Sequence, residues 1–105
     1  MADSLDKLNS KIFAAQLHTN FKVHAGNADP LTLELSEVNE RQVQPEIELF
    51  SLLFRGPLAP RLAQQIHHFE HEKLGTFDLF LTAIGADEKG TTYEVVFHRL
   101  RKKQP

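Results

Sequence analysis

Six histidines and no cysteine bound the side-chain chemistry open to this chain of 105 residues. Thiolate chemistry, disulfides and cysteine-based zinc sites are excluded from the start. Three of the histidines fall in the run Ile66-His67-His68-Phe69-Glu70-His71. On a strand this run puts His67, Phe69 and His71 on one face and His68 with Glu70 on the other. At the usual strand rise His67 and His71 stand about 13 Å apart, too far to share one metal ion. His68 and Glu70 are closer, but the sequence shows no third ligand for them. No metal centre is therefore expected. His71 reads as a fastener for the turn before Gly75, and His67 as a residue filling an aromatic position.

Other reactive types fare no better. The serines, Ser4, Ser10, Ser36 and Ser51, lie outside any Gly-x-Ser-x-Gly elbow. Acid–base catalysis needs inward-facing carboxylates of contrasting environment. By alternation Glu34, Glu46, Glu48, Asp78 and Glu94 all take the polar side of their strands. A phosphate-cradling loop would need a glycine-rich turn opening a helix, and the turn at 85–90 is charged with no helix after it. Arg55 ends an apolar run beside Gly56-Pro57, where a guanidinium can grip a carboxylate of a ligand or of a neighbouring loop. The expectation is a protein without a catalytic centre and without a cofactor.

The elements that would position these residues are mostly strands. Asn9 is a good helix N-cap, and Ile12, Phe13 and Leu17 follow on one side of a short helix. Two turns are not stable alone in water, so this helix must pack on a sheet. From Phe21 the apolar period becomes two. Phe21 and Val23 form the first strand, and Gly26-Asn27 with Asp29-Pro30 a turn. Leu31, Leu33 and Leu35 alternate with polar residues, as in a half-buried strand. Residues 40–45 read as a connection, 46–55 as the longest strand, and 58–65 as a loop. Strands follow at 66–70, 76–84 and 92–99. Short connections favour antiparallel neighbours. The whole is mainly β: a meander of about six strands forming a small antiparallel barrel or curled sheet, with the short N-terminal helix packed on it.

Within that barrel Phe21, Leu33, Leu35, Leu49, Leu53, Leu79, Leu81 and Phe97 are the expected filling. Strand 46–55 is apolar on both faces, so Phe50, Leu52 and Phe54 are expected outside, together with Phe80 and Val96. A one-sided barrel does not need these residues on its exterior. Either the helix or a partner chain must cover them.

Four segments resemble a known family. They are Leu8-Asn9 with Phe13, Leu17 and Phe21-Lys22-Val23; Phe50-Ser51-Leu52-Leu53-Phe54-Arg55-Gly56-Pro57; Glu70-His71 with Leu74-Gly75 and Phe77-Asp78-Leu79-Phe80-Leu81; and Tyr93-Glu94-Val95-Val96-Phe97. Together they resemble the DUF6916 family of small bacterial proteins, a domain of unknown function. The family tends to carry glycine where this chain has His18, and proline where it has Glu72. The resemblance implies a place beside a fibre or phage-tail-like assembly.

The domain division expected is a loose segment 1–8, one β domain at 9–99, and a basic tail at 100–105. A formal charge of −2 gives no general attraction to nucleic acid or to acidic membranes. No apolar run reaches the length of a membrane span and no secretory leader is visible, so the cytoplasm is the expected location. The expected role is a non-catalytic interaction or structural accessory domain, meeting a protein partner or a second copy of itself through Phe50, Leu52, Phe54, Phe80 and Arg55. Gly56, Pro57, His71 and Gly75 are read as structural turn residues. The alternative is a barrel that holds a small ligand.

Overall fold

The computed structural model describes residues 8–24 and 29–100, the side chains of 42–44 excepted. The Gly26-Asn27 turn and all but the first residue of the basic tail lie outside the described residues, as does most of the N-terminal segment. One short helix, α1 (Ser10–Ala14), precedes six strands: β1 (Asn20–His24), β2 (Leu31–Gln44), β3 (Ile47–Gly56), β4 (Gln65–His71), β5 (Gly75–Asp87) and β6 (Gly90–Leu100). They close into an antiparallel barrel in the order β1-β2-β3-β6-β5-β4. The mainly β class and the closed sheet are as the sequence implied.

The order is not a simple meander. Two three-stranded meanders, β1-β2-β3 and β4-β5-β6, join through the β3–β6 and β1–β4 pairings. The segment between β3 and β4 therefore crosses one mouth of the barrel. It carries buried Leu62 inward, and the Leu62 N–H donates to the Tyr93 hydroxyl at 3.0 Å. This long connection replaces the hairpin that a plain meander would have had between β3 and β4.

Two strands are longer than their sequence patterns suggest, because each serves two neighbours in turn. The first part of β2 pairs with β1 and the rest with β3; Glu34 stands opposite both Asn20 and Arg55. A bulge between Leu35 and Glu37 bends the strand at the hand-over, as an extra residue does. β5 repeats the device. Residues 75–81 pair with β4 and 82–87 with β6, with a bulge between Ala83 and Gly85. The expected loops at 40–45 and 85–90 accordingly shrink to tight turns.

The faces of β3 are the reverse of the expectation. Phe50, Leu52 and Phe54 are fully buried, whereas Leu49 and Leu53 are half-buried on the outside. Cross-strand pairing explains this: Phe50, Leu52 and Phe54 stand opposite Phe97, Val95 and Tyr93, all buried on β6. Glu48 shares their parity and is buried too. It accepts from Arg99 Nε at 2.9 Å, so a carboxylate that alternation had placed on the polar side lies inside.

Helix α1 also sits elsewhere than expected. It plugs the barrel instead of covering an outer patch. The Asn9 side chain caps it by accepting the Ile12 N–H at 2.9 Å. Phe13 enters the core, with ring centres 5.6 Å from Phe97, 6.1 Å from Phe77 and 6.2 Å from Phe50. The ring contacts continue through Phe77 to Phe69 and Phe21, and through both of these to Phe54. The interior is filled with aromatic rings.

Candidate functional site

With the interior filled, the outward-facing side chains are what this barrel offers to other molecules. Ile66 on β4 stands directly opposite Phe80 on β5. Val96 lies on β6 two residues past Glu94, whose pairing with Thr82 ends the β5–β6 ladder. All three are more than half exposed, at 65%, 51% and 56% for Ile66, Phe80 and Val96, and Ile84 adds 51% farther up β5. An apolar set thus spreads over three neighbouring strands on the outside of the sheet, with Ile66 and Phe80 directly paired. At Val96 it meets a groove of about 210 Å³, whose wall includes Leu49, Ser51, Arg41 and Glu94. Of the expected docking residues, only Phe80 lies on this surface. Phe50, Leu52 and Phe54 are core, a correction that follows from the register of β3 with β6. Alternation in Thr76–Thr82 already pointed Phe80 outward. Ile66 and Ile84, by contrast, carry no sequence signal of exposure, because an isoleucine in a strand reads as core by default.

Beside this set runs a polar row. His68 lies two residues from Ile66 on the same face of β4. It pairs in register with His24 on β1 and with Asp78 on β5. His68 Nδ1 is 2.8 Å from Asp78 Oδ1, and His24 Nε2 is 2.5 Å from Glu70 Oε1. The hydrogen bond from His24 holds the Glu70 carboxyl below its ordinary range, with smaller help from the charges of His24, His68 and Lys22. The sequence placed His68 and Glu70 together; only the β1–β4 pairing adds His24.

The remaining candidates are tied into the fold. Arg55 donates from Nη1 to Thr92 Oγ1 at 2.7 Å and from Nη2 to Asp87 Oδ1 at 3.0 Å. This bond, with the Lys89 and Gly90 backbone, holds the Asp87 carboxyl below its ordinary value. Arg55 thus clamps the β5–β6 turn. Gly56 packs so close to Leu33 and to the backbone of Gly90 that a Cβ on either glycine would overlap its neighbour. Pro57 follows it, exposed, where β3 ends.

His71 is buried, and both ring nitrogens are engaged. Nδ1 accepts the backbone N–H groups of Lys73 (3.1 Å) and Leu74 (3.2 Å). The proton must then sit on Nε2, which donates to Thr19 Oγ1 at 2.9 Å, while that hydroxyl donates to Gln16 O. One imidazole therefore joins the β4–β5 turn to the segment following α1, and Gly75 completes the turn with a φ of 89°. Burial pushes the His71 pKa below its ordinary value. His67 is also buried, with Nε2 2.7 Å from Ala63 O. His18 takes a φ of 67° after α1, a left-handed conformation that glycine adopts without strain.

Among the described residues no three His, Asp or Glu side chains converge as a metal cage, and no helix is long and apolar enough to cross a membrane. A family model described as "Domain of unknown function (DUF6916)" matches residues 8–97. No curated protein and no solved structure matches the chain.

Proposed function

This chain belongs to the DUF6916 family, and from that premise we propose that it is a non-catalytic binding module which docks a protein partner on the outer face of β4-β5-β6. The observation that carries this reading is the set Ile66, Phe80 and Val96, three large apolar side chains more than half exposed on adjacent strands. Monomeric domains seldom leave contiguous apolar surface open without a use for it. The groove at Val96 gives such a partner a place for an apolar anchor, and Arg41 with Glu94 provides a polar rim. Service within a fibre or phage-tail-like assembly is one setting for such a module, and the cytoplasm is its proposed location.

The same features weigh against the other classes. A ligand-holding barrel needs a hollow interior, and here rings in mutual contact occupy it. Binding of single-stranded nucleic acid needs exposed stacking rings in a basic groove. Phe80 is the one exposed phenylalanine or tyrosine ring among the described residues, and the net charge is −2. Arg55 and His71 spend their hydrogen bonds within the chain.

The test compares wild type with a Phe80→Asp/Val96→Asp variant as bait in native lysate, alongside sedimentation of each protein alone. The expected outcome is a stoichiometric partner retained by wild type and lost by a variant with unchanged circular dichroism and melting. A dimer in sedimentation that the variant abolishes identifies the partner as a second copy. Capture that is equal for both baits, or absent for both with monomeric sedimentation, overturns the reading.

A further inference from the structure

We infer that His24 and His68 form a two-histidine site for a divalent transition-metal ion on the outer face of β1 and β4. The two residues face each other in register across the strand pair, and their ring centres are 5.7 Å apart. Two imidazoles bound to one ion at about 2.0–2.1 Å hold their ring centres roughly 4.5–6 Å apart, from the right angle of tetragonal coordination to the wider tetrahedral angles. The ring spacing is therefore close to what one shared ion needs.

The carboxylates make this more than a chance pair. Each imidazole spends one nitrogen on a carboxylate: His24 Nε2 on Glu70 and His68 Nδ1 on Asp78. A carboxylate accepts, so each of those nitrogens carries the proton. In the neutral rings the opposite nitrogens, His24 Nδ1 and His68 Nε2, carry the lone pairs, on side chains that are 36% and 48% exposed. Ligating histidines characteristically bond a carboxylate through the second nitrogen, which fixes the tautomer and strengthens the ligand. Both histidines have that arrangement here. With no third ligand converging among the described residues, water fills the other positions. A site of two imidazoles and water suits Cu²⁺ first, then Ni²⁺ and Zn²⁺.

The experiment is calorimetric titration of the full chain with Cu²⁺, with electron paramagnetic resonance of the complex. One equivalent should bind, with hyperfine structure from two imidazole nitrogens. His24→Gln and His68→Gln should each weaken binding by about tenfold or more, as loss of half the protein ligands requires. His18→Gln and His98→Gln, on other exposed parts of the surface, should leave it unchanged. Glu70→Ala should weaken it by about tenfold without touching the ion, a loss that separates a supported ligand from a bare surface imidazole. No saturable binding up to about 1 mM Cu²⁺, or binding that survives in the His24→Gln/His68→Gln double variant, overturns the assignment. All these variants change exposed or half-exposed side chains, and unaltered melting of the metal-free proteins confirms that they fold.

Discussion

At the scale of single residues, the histidines divide by what their second nitrogen meets. His71 is closed on both sides, by two backbone N–H groups and a threonine hydroxyl, and it holds a turn. The turn role was legible in the sequence because His71 precedes Lys73-Leu74-Gly75. Its bond to Thr19 was not, because that link crosses 52 positions. Burial is the leading cause of its lowered pKa; the Glu72 charge opposes the shift and Lys73 adds to it. The sign for stability follows. The unfolded imidazole takes up its proton near its ordinary value of 6.5, whereas the folded one resists until lower pH. Between those two values the unfolded state binds more protons, so stability falls as pH falls. His71 therefore contributes its full share above about pH 6.5 and loses it progressively below. Melting temperatures followed from about pH 8 to pH 5 should drop further for wild type than for His71→Gln, though the variant is the less stable at neutral pH. Parallel profiles would show that another group drives the acid loss.

At the scale of elements, α1 is too short to stand alone and depends on what receives it. Phe13 enters the ring cluster, and Arg99 ties the residue before the N-cap to β6. Its guanidinium donates to the Leu8 carbonyl and to Glu48, and lies 5.1 Å from the centre of the Phe97 ring. Phe97 in turn stacks on Phe50 at 4.5 Å. Removing only one member of this buried pair strands the other. Arg99→Met should cost about 3 kcal/mol, the low end for a broken buried ion pair, since Arg99 keeps some exposure. Glu48→Leu/Arg99→Met should recover most of that loss, because an apolar replacement of both partners leaves no charge to solvate. Urea midpoints of the two variants decide it, and a double variant as weak as the single one would locate the cost in lost packing. The same carboxylate is why β3 misleads a reader of the sequence. Glu46 and Glu48 mark one face as polar, whereas Glu48 points inward to a partner 51 positions away. Strand type and order along the chain were legible from alternation and turn residues. The side of β3 that faces inward was not, because both sides are apolar and only the β6 register chooses between them.

At the scale of the molecule, the barrel closes because β2 and β5 each change partners at a bulge, and both ends are stopped by chain that is not strand. α1 fills one with Phe13, and the β3–β4 connection covers the other with Leu62. Nothing local in the sequence announces the crossing at 57–64, since a loop of that length serves a hairpin and a cross-over equally well. What the crossing decides is which apolar residues remain outside. By pairing β3 with β6 it sends Phe50 into the core, and alternation on β5 keeps Phe80 out. Two phenylalanines with similar sequence surroundings thus have opposite roles, and their alanine variants should separate cleanly. Phe50→Ala removes a ring that is 1% exposed and packed against Phe13 and Phe97. It should cost about 3–5 kcal/mol, and each kcal/mol lowers the melting temperature of a domain this size by about 4–8 °C. Phe80→Ala removes a ring half in water and should stay within about 1 kcal/mol of wild type. If Phe80→Ala proved as damaging as Phe50→Ala, its ring would belong to the core and the outer set would lose its centre. If it melts like wild type, an apolar side chain of little use to folding is being kept on the surface, as a docking face requires.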